Sequence, residues 1–233
     1  MSLFKNLAVD LTIQADKDVL GGSKFGAWES GVYDTVIELA YVDESKGGAM
    51  NINFVFKTAE GKELRQHIYV TSGKEKGQTN YYTDKDGNKK YLPGFTQAND
   101  LCLLSAGEAL SDIETETKTI SLYSSEQKKE VPTKKEVLVD LIGKEVTLGV
   151  VKVIEDKYNK PGETRTINDI SKVFRTSDHL TANEIRSEET EATFYAAWKE
   201  KNTGIVINKA GKNAAAAAGS ATADAPKKSL FGK

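Results

Sequence analysis

The sequence has little of the chemistry that disulfide scaffolds, membrane proteins and many enzymes need. Its 233 residues include one cysteine, Cys102, and two histidines, His67 and His179. A single cysteine excludes an internal disulfide and a cysteine-rich zinc site, and it favours a reducing compartment. Apolar runs stay well short of the roughly 20 residues that a membrane helix needs. The first residues, MSLFKNLAVDL, lack the apolar segment of a signal peptide. These absences predict a cytoplasmic protein that does not bind membranes.

Catalytic and cofactor motifs are missing as well. The sequence contains neither a phosphate loop of the GxxxxGK(S/T) type nor a GxGxxG turn after a strand. Asp84, Asp86 and Asn88 surround Gly87 as in a calcium loop, but the twelfth position holds Phe95, where a bidentate glutamate is required. A hairpin turn at Asp86-Gly87 explains these residues better. We therefore predict a protein without enzymatic activity, cofactor or bound metal.

The overall charge is close to balanced, with 32 basic and 34 acidic residues and a formal net charge of −2. The molecule as a whole is therefore not a polycation. Any site for a polyanion must be a local basic patch rather than the whole surface.

Alternating apolar residues predict a β-rich body. The clearest strands are residues 31–42, 50–57 and 63–70, which form an antiparallel meander, followed by strands at 145–154 and 167–174. A short helix is predicted at 97–110, and 111–133 is predicted to be loop with a short strand at 120–123. Thr181 with Glu184 three residues later is a capping-box signature for a C-terminal helix. Aromatic residues on these patterns are predicted to be core: Tyr33, Tyr41, Phe54, Phe56, Phe174, Phe194 and Trp198.

The chain divides into three parts by composition. Residues 1–30 form an N-terminal extension with a short strand at 7–13, and residues 31–209 form the folded domain. Residues 210–233 are a flexible low-complexity tail rich in alanine. The element order predicts a mainly β fold with α elements, an elaborated OB-type β-barrel of five or more strands. One short helix follows the third barrel strand and another helix ends the domain.

The most informative segment is 72–93, SGKEKGQTNYYTDKDGNKKYLP, between two stretches that are predicted to be β-strands. It combines five lysines with three tyrosines among glycines and polar residues. Ammonium groups neutralise phosphates and aromatic rings stack on unpaired bases, so this composition suits single-stranded nucleic acid. A solvated hairpin whose lysines only aid solubility is the alternative interpretation, since three acidic residues dilute its charge.

Three stretches resemble bacteriophage single-stranded DNA-binding proteins with an OB fold. They are GVYDTVIELAYV followed by NINFVFK, then YLPGFTQANDLCLLSAGE, and LIGKEVTLGVV leading to INDISKVF. The resemblance spans roughly residues 31–204 and consists of pattern and order. It implies sequence-tolerant binding of single-stranded DNA (ssDNA) in phage replication or recombination, without catalysis, in the host cytoplasm. Such relatives commonly end in an acidic tail, whereas this chain ends in the basic sequence KKSLFGK.

The candidate site residues follow from these observations. Basic and aromatic residues of the third strand, of segment 72–93 and of a second loop at 157–166 are predicted to contact nucleic acid: Arg65, His67, Tyr69, Lys74, Lys76, Tyr81, Tyr82, Lys85, Lys89, Lys90, Tyr91, Lys157, Tyr158, Lys160 and Arg165. In the tail, four residues are predicted to recruit a replication or recombination protein: Lys227, Lys228, Leu230 and Phe231. Homo-oligomerisation or cooperative assembly on DNA is compatible with this scheme.

Two other functions remain open at this point. The domain could be a structural or assembly module whose tail tethers a partner. It could also be a transcription or recombination cofactor that binds ssDNA and recruits a polymerase or recombinase.

Overall fold

The fold is mainly β, in a computed structural model that describes residues 26–160 and 162–211. The strands, in chain order, are β1 (Gly31–Glu44), β2 (Met50–Lys57), β3 (Glu63–Tyr69), β4 (Tyr81–Thr83), β5 (Lys89–Tyr91), β6 (Thr115–Ser124), β7 (Lys129–Leu138), β8 (Glu145–Asp156), β9 (Thr164–Phe174) and β10 (Val206–Asn208). The helices are α1 (Pro93–Ala106), α2 (Ala182–Arg186) and α3 (Thr193–Asn202), with 3₁₀ turns at Lys74–Lys76 and Val139–Leu141.

Strand β1 organises the main sheet of eight strands. Its second half pairs with β2, and β2 pairs with β3, which confirms the predicted antiparallel meander. Its first half pairs with β8 on the other edge, and β9 pairs with β8. The short strand β10 runs parallel to β8 beyond the start of β1. Within the described residues, β3 and β9 are not hydrogen-bonded to each other, so the sheet does not close into a complete barrel.

The core lies between the meander, β8, β9 and α1. Side chains that are almost fully buried come from each of these elements, because every strand turns alternate residues inward. Examples are Ile37, Phe54, Phe56, Leu101, Leu148 and Ile170. A second, smaller cluster joins Val151, Val153, Phe174 and Trp198, and it fixes α3 against β8 and β9. No helix in the described ranges has the length and apolar character needed to cross a bilayer.

Several element predictions need correction. The first helix begins at Pro93 and ends at Ala106, because proline is well suited to the first helical position and Gly107 adopts a left-handed conformation, with φ 81°, after the last turn. The predicted C-terminal helix is two helices. The capping box of Thr181 and Glu184 is confirmed for α2, but α2 ends after five residues and α3 follows separately.

The prediction of mostly loop for 111–133 is wrong. Strands β6 and β7 form a two-stranded ribbon there, with ten paired positions from Thr115–Leu138 to Ser124–Lys129. Phe194, predicted to be core, is 41% exposed, and the Lys172 ammonium lies 5.3 Å from its ring centre. The predicted strand at 7–13 and nearly all of the predicted tail lie outside the described residues.

Candidate nucleic-acid interface

The basic and aromatic segment 72–93 folds into a 3₁₀ turn followed by the β4–β5 hairpin. Asp84 organises the hairpin turn, because its carboxylate accepts the backbone N–H groups of Asp86 and Asn88 at 3.0 and 2.9 Å. The Lys90 ammonium lies 2.8 Å from the other carboxylate oxygen, and this bond with the backbone donors lowers the pKa of Asp84. Gly87 takes a positive φ of 84°. The predicted hairpin at Asp86-Gly87 is confirmed.

An open groove of about 1090 Å³ lies between the end of β3, the 3₁₀ turn, the hairpin and the start of α1. We call it the tyrosine groove. Three tyrosines and three lysines line it: Tyr69, Tyr81, Tyr82, Lys46, Lys74 and Lys76. Five of these six belong to the predicted set. Lys46 is not among the predicted contacts, because only folding brings the β1–β2 turn that carries it to the border of the groove.

Close backbone contacts fix the walls of the groove. The N–H of Lys74 donates to the carbonyl of Gly47 at 2.9 Å, which joins the 3₁₀ turn to the β1–β2 turn. At the other wall, a Cβ added to Gly94 would lie 2.1 Å from the carbonyl oxygen of Tyr69. Only glycine therefore allows α1 to approach the end of β3 so closely. The backbone contacts of the fold therefore set the shape of the groove.

The hairpin divides its tyrosines between two sides. Tyr81 pairs with Tyr91, whereas Tyr82 pairs with Lys90, and neighbouring positions on a strand point to opposite sides. Tyr91 packs against Phe95 of α1 with ring centres 5.0 Å apart. The Lys89 ammonium covers the Tyr81 ring at 4.5 Å. Of the three, Tyr82 is therefore the ring most available to a ligand in the groove.

The polar side of β3 carries Arg65, His67 and Tyr69, all exposed as the alternation predicts. The rings of His67 and Tyr69 lie 4.9 Å apart. His67 is paired across the sheet with Asn53, which is paired in turn with Tyr41. A row of polar and aromatic groups therefore runs over the outer face of β1, β2 and β3 and leads into the tyrosine groove.

Several of the predicted cations already have carboxylate partners. Lys74 lies 2.8 Å from Glu44, and Arg65 is bonded to Glu63. These pairs are solvent-exposed, and exposed ion pairs contribute only about 0–1 kcal/mol. A phosphate can therefore replace the carboxylate at little cost. Lys76 and Lys85 are also exposed, on the 3₁₀ turn and at the tip of the hairpin.

The second predicted loop lies elsewhere. It connects β8 to β9, and the pairing of Val150 with Gly31 shows that it projects past the start of β1. The β1–β2 turn beside the tyrosine groove is at the opposite end of β1. Of the four residues predicted in 157–166, three are cations with carboxylate partners: Lys157 and Lys160 with Glu163, and Arg165, which lies at the start of β9, with Glu155. Tyr158 is 86% exposed. The fold does not bring this loop into the tyrosine groove.

Groups with catalytic or metal-binding potential are dispersed. The described residues contain no cluster of three or more histidine, cysteine, aspartate or glutamate side chains suited to a metal ion. The His179 ring contacts that of Tyr195 with centres 4.2 Å apart and planes tilted by 48°, far along the chain from His67. Burial raises the pKa of the Cys102 thiol to about 12.

Cys102 is therefore expected to resist thiol reagents while the protein is folded. The nucleophile is the thiolate, and a fully buried thiol with this pKa forms almost none at neutral pH. The reaction with a chromogenic disulfide should be negligible in buffer and should reach one thiol per chain in denaturant. Rapid labelling of the native protein would show that α1 opens more readily than its buried packing indicates.

The four tail residues Lys227, Lys228, Leu230 and Phe231 lie outside the described residues, and their partner-binding role stays a prediction. No protein-family model matches the chain, and neither does any curated protein.

Proposed function

We propose that this protein binds single-stranded DNA through the tyrosine groove, with little dependence on sequence. The observation that carries the proposal is the convergence of exposed tyrosine rings and lysine ammonium groups on one open groove. Aromatic rings stack on any base because every base has a π-face, and lysines neutralise phosphates whatever the sequence. The groove therefore combines the two interactions that sequence-tolerant binding needs.

The element order supports an OB-type fold for this function. The three-stranded meander and the β4–β5 hairpin are followed by α1, which lies against β3, β8 and β9, and the β8–β9 hairpin follows after the β6–β7 ribbon. In an OB fold, a helix fills the same place between the third and fourth barrel strands, and ligand crosses the second and third strands. The row of polar and aromatic groups on β3 is on that face.

The biological setting rests on the sequence resemblance. A protein of this kind coats and protects unpaired strands during phage DNA replication or recombination in the host cytoplasm, without a catalytic step. Its C-terminal tail, through Lys227, Lys228, Leu230 and Phe231, recruits another protein of that machinery.

A titration of labelled oligonucleotides tests the proposal. Fluorescence anisotropy is followed with ssDNA, the duplex of the same sequence and ssRNA at several salt concentrations. We expect ssDNA to bind more tightly than the duplex, because stacking requires unpaired bases. Log K should fall linearly with log salt, and the three groove lysines should contribute about −2 to that slope if each contacts one phosphate, at about 0.7 per phosphate.

A charge-neutral variant provides the matched control. With Lys46, Lys74 and Lys76 all replaced by glutamine, the magnitude of the salt slope should fall by about 2, at about 0.7 per lost phosphate contact, while the aromatic contacts remain. Failure of the unmodified protein to bind ssDNA even at low salt would contradict the proposal. So would tighter binding to the duplex than to ssDNA.

A further inference from the structure

The β6–β7 ribbon is an arm that extends from the sheet. Ten residue pairs hold its two strands together, whereas within the described part of the chain its pairing with β1 is limited to Tyr41 with Val137. Directly paired residues share one side of the ribbon. On its inner side Ile120, Leu122 and Val131 are half-buried, while on its outer side Tyr123 is 65% exposed.

The inner side of the ribbon lies over the outer face of β1, β2 and β3. Ser121 and Leu122 of β6 share a small cavity of about 140 Å³ with Tyr41, Arg65 and His67 of the sheet. The ribbon thus borders the part of β3 that carries Arg65 and His67, whose own side chains stay exposed.

One ion pair joins the ribbon to β1. The Lys135 ammonium lies 2.8 Å from the Asp43 carboxylate, and the lysine side chain is only 20% exposed. Burial alone would raise the pKa of Asp43, but the bond with Lys135 and the neighbouring backbone donor hold it below its ordinary value. The Asp43 carboxylate in this ion pair is therefore ionised at neutral pH, and another anion can compete with it for the Lys135 ammonium.

The cavity lies next to the tyrosine groove. His67 lines the cavity, Tyr69 lines the groove, and their rings are 4.9 Å apart. A strand held by stacking at Tyr69 and Tyr82 would next reach His67 and Arg65. The cavity is smaller than the roughly 300–1,000 Å³ of ordinary ligand sites, so a nucleotide enters only when the ribbon moves outward.

The inner side of the ribbon also offers its own phosphate contact. Lys118 and Lys135 stand directly opposite each other across the two strands. Like charges at this spacing repel, and here they are relieved by Glu116 at 3.1 Å and by Asp43. A phosphate placed between the two ammonium groups would neutralise both of them once Lys135 is released from Asp43.

We propose that the β6–β7 ribbon is a clasp that lifts to admit single-stranded nucleic acid across Arg65 and His67 and then closes over it. This inference rests on the proposed function of the tyrosine groove. The clasp adds no base recognition. It slows release of a strand that the groove has already bound.

A shortened ribbon tests the clasp. Residues 120–133 are replaced by Asn-Gly, which joins the directly paired Thr119 and Lys134 through a two-residue turn and keeps the base of the ribbon. Stopped-flow displacement of a labelled ssDNA should show a dissociation rate constant about tenfold higher than that of the unmodified protein, because contacts that hold a bound partner act mainly on dissociation. Thermal unfolding of the variant checks that the domain is intact.

A point substitution provides a second test with a matched control. Leu122→Ser weakens the inner contact, so both association and dissociation should become faster. Tyr123→Ser, on the outer side of the same strand, should leave both rates unchanged. The clasp would be overturned if the unmodified protein bound ssDNA tightly and both variants, the shortened protein and Leu122→Ser, showed its association and dissociation rates. The proposed function would then stay intact. Absence of ssDNA binding by the unmodified protein would overturn both.

Discussion

Replacing Tyr82 with alanine is expected to weaken ssDNA binding by about 5- to 150-fold, which corresponds to the roughly 1–3 kcal/mol that stacking on one base contributes. Tyr82 faces the tyrosine groove from the hairpin, and its ring is exposed. Tyr69, on the β3 side of the same groove, should give a loss of similar size. The measurement is an anisotropy titration of each variant against one labelled ssDNA at fixed salt.

Two other tyrosines make this prediction specific. Tyr91→Ala should reduce the affinity for ssDNA less than Tyr82→Ala does, because the Tyr91 ring packs against Phe95 rather than facing the groove. Tyr123→Ala should cost nothing in equilibrium affinity, since its ring points away from the sheet on the outer side of the ribbon. Equal losses of affinity at Tyr69, Tyr82, Tyr91 and Tyr123 would indicate nonspecific binding to the protein surface. If neither Tyr69→Ala nor Tyr82→Ala reduced the affinity for ssDNA, the groove would not be the binding site.

The salt slope should be unaffected by the tyrosine substitutions. Stacking releases no counterions, whereas lysine contacts to phosphate do. Tyr82→Ala should therefore shift the plot of log K against log salt downward at constant slope. The triple lysine variant should change the slope itself. Together the two variants separate the aromatic from the electrostatic contribution of one groove.

The meander could be predicted from the sequence because burial on one face leaves an alternating pattern. Phe54 and Phe56 face the core, and Asn53 faces outward, so the period of two is visible in the residues themselves. The same alternation placed Arg65, His67 and Tyr69 together on the polar side of β3. Local chemistry also sufficed for the Asp86-Gly87 turn and for the capping box at Thr181.

The ribbon could not be predicted in the same way. Its outer side is largely exposed and much of its inner side is only half-buried, so apolar residues mark the inner side at few positions, Ile120, Leu122, Val131 and Val137, and most of 115–138 is polar. The signal that was available is the run of alternating threonines in TETKT, a residue type favoured in strands. The sequence also did not show which tyrosines of the hairpin share a side. Segment 72–93 displays three of them, but only the pairing of β4 with β5 determines that Tyr82 and Tyr91 lie on different sides.

The distance between the two predicted loops has a similar cause. Both 72–93 and 157–166 are basic and aromatic, and composition alone suggests that they act together. The register of β8 on β1 instead sends the β8–β9 loop past Gly31, away from the turn that follows Glu44. Strand register depends on pairing between distant parts of the chain, and no local pattern records it.

Replacing Trp198 with alanine is expected to reduce the free energy of unfolding by about 3–5 kcal/mol, which lowers the melting temperature by about 6–20 °C. Trp198 is only 6% exposed, and its ring meets that of Phe174 with centres 6.2 Å apart. A Cβ at Gly149 would lie 3.0 Å from the same ring, so the packing leaves little room to collapse around a cavity. Thermal or denaturant unfolding followed by circular dichroism measures the loss.

Phe194→Ala is the matched control, since it removes an aromatic ring from the same helix at a position that is 41% exposed. Its cost should be about 1 kcal/mol or less, as expected for a surface substitution. Below its melting temperature, Trp198→Ala should bind ssDNA with unchanged affinity, because the second core cluster contributes no residue to the tyrosine groove. The tyrosine variants should do the reverse and lose affinity at nearly constant stability. If folded Trp198→Ala lost affinity as well, the binding surface would have to extend from the groove to the α3 side of the sheet.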